Sequence, residues 1–393
     1  MRLKKLKYNR KVKFGKEQIK MTKKLFSAAR KPIVFIWLCF FLSSCTFVIR
    51  SPFEAPKNKK PNIYRGVYHV HSNFSHDSKT TLDYISKTAK KAGLDFVIIT
   101  DHNNDDAKKN LKAPAVGEPL LIVGTEISTW HDGHLSVIGA QDPPFNIERT
   151  DQIVDIVHRQ GGYAIPAHPY SLKKPWTNWK IQNYDGMEVF CFSDFFYQQK
   201  FYNLTLKALF FSAPDFLKSM LTVNPENLKR WDHELSSGKH FAGFGAVDAH
   251  IKFRLGNFIP ENLLLSFQSV TMYVLSNAKE ERKIIDALTR GNSFIAFEVF
   301  GLANDFSFSA ARGNRTYGPG ESVPLESSVR LQVKSPKPAR IKLIHEGAVI
   351  AENTGETLSF NVKDAGYYRA EVYLEGKLWI IANPIYIEEK PKE

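Results

Sequence analysis

Of the 12 histidines, six (His69, His71, His102, His134, His168 and His250) sit at the edges of short apolar runs. Four carboxylates keep them company: Asp77 in SNFSHDS, Asp101 in ITDH, Glu126 in GTEIS and Asp248 in VDAH. His69-Val70-His71 closes a predicted strand, whose side-chain period of two turns both imidazoles the same way. A lone HxH pair carries little. Its sequel carries more, because neutral imidazoles suit zinc, iron or manganese, and cations held close together need carboxylates to offset their repulsion. Of the three cysteines only Cys191 lies outside the hydrophobic N-terminal segment. One thiol makes neither a disulfide nor a thiolate cage, so a metal here is held by nitrogen and oxygen. Cys191, in the apolar run 187–192, reads as a buried strand residue.

These residues need elements to aim them. From residue 62 onward short apolar strands alternate with amphipathic helices. Strands are predicted at 66–70, 95–100, 120–124, 134–139, 163–166, 187–192 and 241–247, and helices at 81–92 (with Thr81 as N-cap), 150–160, 224–236 and 278–290. Repeated strand-helix units with polar chemistry at the strand C-termini predict an α/β fold, a parallel barrel whose C-terminal end hosts the site. The segment 194–222 is unusually aromatic and reads as an insertion: a helical piece packed on the barrel, or a lid or membrane-facing surface. After about residue 301 the pattern changes to short alternating strands with turns, which predicts a small all-β, sandwich-like domain over 301–393.

The stretches YHVHSNFSHD, VIITDHNN, GTEIS, GHLSVIGA, IPAHP and GAVDAH resemble, in order, the motifs of the polymerase and histidinol phosphatase (PHP) superfamily, over about residues 62–300. Within it the chain looks most like the carbaryl-hydrolase-type branch. The resemblance implies a distorted barrel of about seven β/α units and two or three divalent metal ions (Zn, Mn or Fe). It implies that His69 and His71 hold a first metal with Glu126 and Asp248. Glu126 would bridge to a second metal on His134 and His168, and Asp77, His102 and His250 would hold a third. A bridging carboxylate keeps two ions about 3.5–4 Å apart, a spacing suited to in-line attack on phosphorus.

Other positions stay open. Many relatives read Ser-Asp-Gly where this chain reads Ser75-His76-Asp77, so His76 competes with Asp77; the offset from His71 favours Asp77. His131 is a neighbour of the ligands or faces solvent. Glu126 and Asp248 carry the charge on which catalysis would depend, with Asp101 as an orienting or proton-handling neighbour. Lys252 and Arg254 would bind a substrate phosphate or be solvated loop charges. Tyr170 lines the pocket or packs.

The function expected is a metal-dependent hydrolase cleaving phosphoesters by metal-activated water, on a small phosphoester. A 5′-3′ exonuclease-type phosphodiesterase and a carbamate or carboxylic-ester hydrolase are the alternatives. The non-enzymatic one is a surface-anchored binding protein. An amidohydrolase-type barrel also opens on HxH but carries a bridging lysine, where this chain has Glu126. No protein partner is deducible.

The net charge of +14 invites a nucleic-acid reading, but residues 1–31 hold 13 of the Lys/Arg against one acid, Glu17, leaving the rest of the chain near +2. A nucleic-acid 5′ end therefore finds little electrostatic funnel. The basic leader runs into the uncharged segment 32–49 and the lipobox-like Leu42-Ser43-Ser44-Cys45. Residues 1–45 read as a signal with a lipidated Cys45, an uncleaved signal anchor or a core helix, with Met21 as an alternative start. The first two tether the body to a membrane outside the cytoplasm through residues 46–61.

Overall fold

The computed structural model describes residues 60–194, 213–251, 263–326 and 328–389. The leader 1–45, most of the tether, Lys252 and Arg254 lie outside the described residues. All described residues fall within one compact unit. Among them no helix is long and apolar enough to cross a membrane.

The fold is mixed α/β around a sheet. Strands β1 (Ile63–Val70), β2 (Phe96–His102) and β3 (Leu120–Ser128) run parallel side by side. β2 is buried along nearly its whole length, as its unbroken FVII run requires of a strand covered on both faces. On the other edge of β1 lies β7 (Ala242–Ala249), parallel, with β6 (Gly186–Cys191) parallel beyond it. Cys191 is buried in β6, as its apolar neighbours predict.

Two expectations are corrected. The sheet is not an all-parallel barrel: β4 (His134–Ile138) runs antiparallel to β3, and β5 (Tyr163–Pro166) antiparallel to β4. Only five residues, 129–133, separate β3 from β4, enough for a hairpin but not for the crossover that a parallel neighbour needs. Nor is the sheet closed: among the described residues no ladder joins β5 to β6. At this seam Asp185 substitutes for pairing. Its N–H donates to Ala164 O at 3.1 Å and its carboxylate accepts the Ala164 N–H at 2.7 Å.

The helices stand close to where periodicity put them: α1 (Leu82–Ala92), α2 (Thr150–Arg159), α4 (Pro225–Ser236) and α6 (Glu281–Thr289). Thr81 caps α1, its hydroxyl accepting the Tyr84 N–H, and Gly93 ends it in the left-handed region. Helix α3 (Ala213–Met220), with Leu217 buried in it and Leu221 buried just past its end, is the main described part of the aromatic segment; the rest of 194–222 is largely outside the described residues. A short helix, α5 (Leu263–Phe267), precedes β8.

Strands β8 (Thr271–Leu275) and β9 (Ser293–Ala296), each too short to announce itself, extend the sheet from the first half of β1. β9 then pairs antiparallel with β16 (Lys377–Ala382), so the C-terminal strands continue the same hydrogen-bonded sheet. There, one long strand stands where short ones with turns were expected: β13 (Arg330–His345) runs through Pro336 and Pro338 with a break in register between Lys334 and Ala339. It pairs with β14 (Ala348–Asn361), with β15 (Gly366–Leu374) and with β10 (Ser307–Arg312), which pairs in turn with β11 (Arg315–Tyr317), while β12 (Ser322–Pro324) runs parallel to β17 (Ile385–Glu388). Polar contacts tie this part to β7: Asn383 accepts the Gly243 N–H at 2.7 Å and returns a bond to Gly243 O, and the Tyr386 hydroxyl accepts the Phe241 N–H.

Candidate metal centre

All nine expected ligand residues converge at one end of the strands. His69 lies in β1 and His71 just past it; His102 ends β2; Glu126 lies in β3; Asp248 lies in β7 and His250 follows it. His168 follows β5 by two residues, and Asp77 stands on the turn after β1. His134 is the first residue of β4, because an antiparallel strand brings its N-terminus to the end where parallel strands bring their C-termini.

The HxH pair is not built as a regular strand. His69 takes φ 70°, and the registers of β1 with β2 and with β7 both break around it. A bulge re-aims a side chain, and here it brings the two Nε2 atoms to 3.1 Å. His168 (φ 29°) and Asp248 (φ 46°) are also left-handed. Such backbone costs about 1–3 kcal/mol per residue and gathers where function needs it.

Glu126 stands at the centre, almost fully buried. Its Oε2 lies 3.2 Å from His69 Nε2, 3.3 Å from His71 Nε2 and 3.3 Å from His102 Nδ1. Its Oε1 lies 2.8 Å from His134 Nδ1 and 3.0 Å from His168 Nε2, which are 3.3 Å from each other. Asp248 Oδ1 completes the first group, 3.5 Å from His69 Nε2 and 3.4 Å from His71 Nε2. A third group has Asp77 Oδ2 at 2.9 Å from His250 Nε2 and 3.5 Å from His102 Nε2, with His71 nearby.

This spacing fits coordination better than hydrogen bonding. Ligand atoms about 2.0–2.1 Å from a tetrahedral zinc stand about 3.3 Å apart, and the first group's measured edges run from 3.1 to 3.5 Å. His102 Nδ1 and His250 Nε2 are buried beside carboxylate oxygens yet make no hydrogen bond. Buried polar atoms seldom go unpaired without a reason, and a lone pair aimed at a cation is one. His102 faces two groups, Glu126 through Nδ1 and Asp77 through Nε2.

The charges are interdependent. Burial raises the Glu126 carboxyl, but His69 and His134 outweigh it and hold it well below the ordinary range. Asp248 is likewise depressed, against burial, by His69 and His250. Burial opposes a charge on His69, yet Glu188 and Glu126 push it well up. His168, against the same burial, is pushed up to about 9 by Glu126. The His168 imidazole is therefore charged in metal-free protein at pH 7.5, and metal uptake must expel its proton. Calorimetry of zinc binding at pH 7.5, in two buffers of different ionisation heat, should show proton release, diminishing above about pH 9. Equal heats in both buffers would contradict this.

The remaining positions separate cleanly. Asp77, rather than His76, joins the third group; His76 is exposed, its ring 5.0 Å from that of His102. His131 is exposed beside Glu148. Tyr170 is half-buried near the charges of Arg230 and Glu226. Asp101 is fully buried with both oxygens on Ser72: one accepts its N–H and the other its hydroxyl, each at 2.6 Å. That grip fixes the start of the turn bearing Asp77, an orienting part.

Two residues escaped the sequence reading. Ser75 donates to Asp77 Oδ1 at 2.8 Å and lies 3.3 Å from His71 Nδ1. Glu188, hidden in the apolar run of β6, binds His69 Nδ1 at 2.6 Å and the His168 N–H at 2.7 Å. The one signal for it was a carboxylate inside a wholly buried strand.

Residues 68–189 match the model of the PHP domain, a span that includes seven of the nine residues but not Asp248 or His250. An uncharacterized protein of Methanocaldococcus jannaschii is 33% identical over 112 residues, 27% of this chain and 63% of that protein. The chain thus spans under two thirds of that relative's length. Among solved structures, a two-domain protein of Bacteroides vulgatus containing a predicted PHP-like metal-dependent phosphoesterase aligns at 14% identity, covering 85% of this chain and 98% of its own (TM-score 0.38). A protein of Bifidobacterium adolescentis, provisionally described as a metal-dependent phosphoesterase, aligns at 14% identity over 54% of this chain and 96% of its own (TM-score 0.31). The PHP-domain match and the His/Asp/Glu clusters together support a metal-dependent hydrolase.

Proposed function

We propose that this protein hydrolyses a small phosphoester at a centre of three divalent metal ions, two of them sharing Glu126. The observation that carries the reading is the Glu126 carboxylate, flanked on its two oxygens by nitrogens of five histidines. His69, His71 and Asp248 would hold the first ion with it, His134 and His168 the second, and Asp77, His102 and His250 the third. Bound ions acidify water toward neutral pH and neutralise charge on a phosphoryl group. The chain's own residues hold the ligands still: the Asp101–Ser72 grip fixes the Asp77 turn, and Ser75 orients Asp77. Burial of Glu126 keeps its charge unscreened by solvent, so it acts at full strength on whatever its neighbours bind.

The test is a matched comparison. With equal loading of zinc, manganese or iron, residues 46–393 should turn over a nitrophenyl phosphate faster than the nitrophenyl carboxylic ester. The reverse preference would favour a carbamate or ester hydrolase, and no turnover of either would favour a binding protein. In this reading 62–300 is the catalytic part and 301–393 a β-rich domain built against it. A lipid on Cys45 or a retained anchor would hold the protein at the outer face of a membrane. Radiolabelled fatty acid should then enter the wild type and not Cys45→Ala; a retained leader without label supports the anchor instead.

A further inference from the structure

We propose that Glu188 is the positioning residue that fixes His69 and His168 as ligands of the two groups sharing Glu126, in place of the backbone pairing that β5 and β6 lack. The inference rests on the metal-centre reading above. Glu188 is fully buried on β6, at the seam where no ladder crosses to β5. A buried carboxylate is costly unless every oxygen is engaged, and here both are. One accepts from His69 Nδ1 at 2.6 Å, and the other accepts the backbone N–H of His168 at 2.7 Å.

The two residues it joins are the two left-handed histidines, with φ 70° and 29°. Neither backbone is where the chain would rest on its own, so each needs a partner that over-determines it. Glu188 supplies that partner to both at once. By holding the proton of His69 on Nδ1 it turns Nε2, as a lone pair, toward His71, Glu126 and Asp248. By holding the His168 N–H it sets the imidazole whose Nε2 meets the other Glu126 oxygen at 3.0 Å. One carboxylate thus couples the first group to the second. It makes no contact of this kind with the Asp77, His102 and His250 group, which stands beyond Glu126.

Glu188→Gln keeps the shape and removes one acceptor. If the amide oxygen serves the His168 N–H, the amide nitrogen faces His69 Nδ1, which can then only accept; the proton moves to Nε2 and blocks coordination. If the amide oxygen serves His69, two N–H groups confront each other at His168. Either arrangement should weaken metal binding about 10- to 100-fold, the usual effect of losing such a partner.

The experiment measures retained metal per chain against graded chelator, for wild-type protein and Glu188→Gln. Two ions should leave the variant at about 10- to 100-fold lower chelator strength, while the third is held as in the wild type. Wild-type uptake with unchanged retention in Glu188→Gln overturns the inference alone, as does equal weakening of all three ions, which a merely structural role would give. Wild-type protein that takes up no metal overturns the metal-centre reading and this inference with it. A measurement on wild-type protein covers a variant that fails to fold. In zinc-loaded, histidine-labelled protein, nitrogen-proton NMR should show His69 protonated on Nδ1, with a strongly deshielded, exchange-protected proton. His69 protonated on Nε2, or without such a proton, overturns the proposal.

Discussion

Glu126→Gln should strip the protein of two metal ions and lower phosphoesterase turnover by about 1,000-fold or more, about 4 kcal/mol of barrier. The size follows from how many groups depend on one charge. Each Glu126 oxygen faces a different cluster, with three histidine nitrogens on one side and two on the other. Glutamine would place a neutral oxygen against one cluster and an N–H against the other, so one set of lone pairs meets a donor. Two cations a few ångströms apart would also lose the negative charge that offsets their repulsion. The third group depends on Asp77, so the variant should keep close to one ion per chain. Elemental analysis and nitrophenyl phosphate turnover check both parts. Full activity at full stoichiometry would remove Glu126 from the bridging position.

How much of this was legible in the sequence depends on whether a residue's job is local. The nine clustered residues could be found because each sits in a short polar motif at the edge of an apolar run, and because metal coordination, the chemistry expected of them, restricts residue type. Thr81 as a cap and the α1 boundary were legible for the same reason: capping is decided within four residues. Glu188 was not, since its partners lie 119 and 20 residues away. Within MEVFC it is a carboxylate interrupting an apolar strand, with nothing beside it to say why.

The bulge at His69 was illegible too. HVH scores as regular alternation, and only the demands of two neighbouring strands break it. Short β8 and β9 could not be told from loop, while the break in β13 at Lys334–Ala339 looked like a strand boundary because Pro336 and Pro338 punctuate it. The open seam between β5 and β6 has no sequence signature, because it consists of bonds not made.

The second large effect lies outside the histidine cluster. Arg369→Ala should destabilise the protein by about 3–5 kcal/mol. Arg369, on β15, is buried, with Nε and Nη2 on the two oxygens of Asp232 at 2.7 and 2.8 Å and Nη1 on Glu371. Asp232 belongs to α4, and its carboxylate also accepts from the Tyr367 hydroxyl at 2.9 Å. Removing the cation leaves the buried Glu371 and the partly buried Asp232 without the positive charge they share. Burial raises the Glu371 carboxyl, but Arg369 outweighs it and holds it below the ordinary range. In the wild type this pairing therefore adds stability at neutral pH and is lost as pH falls through the folded-state value. In the variant the buried carboxyl keeps the Tyr373 hydroxyl but not the Arg369 cation, so its shift should reverse and acidification should relieve it by protonation. The difference between the two proteins should be largest near pH 7 and shrink toward pH 4, as denaturant midpoints would show. Converting the whole group (Arg369→Met, Asp232→Leu, Glu371→Leu) should recover much of the loss, since a buried ion pair often stabilises no more than apolar packing of similar volume. The consequence should reach the proposed metal centre. Trp231, next to Asp232, donates to Phe241 O at 3.0 Å at the foot of β7, the strand that carries Asp248 at its other end. Arg369→Ala should thus weaken metal retention as well as stability. If it lowers stability while metal retention stays as in the wild type, the C-terminal strands act as a separate module rather than as a brace for the strand that holds the ligand.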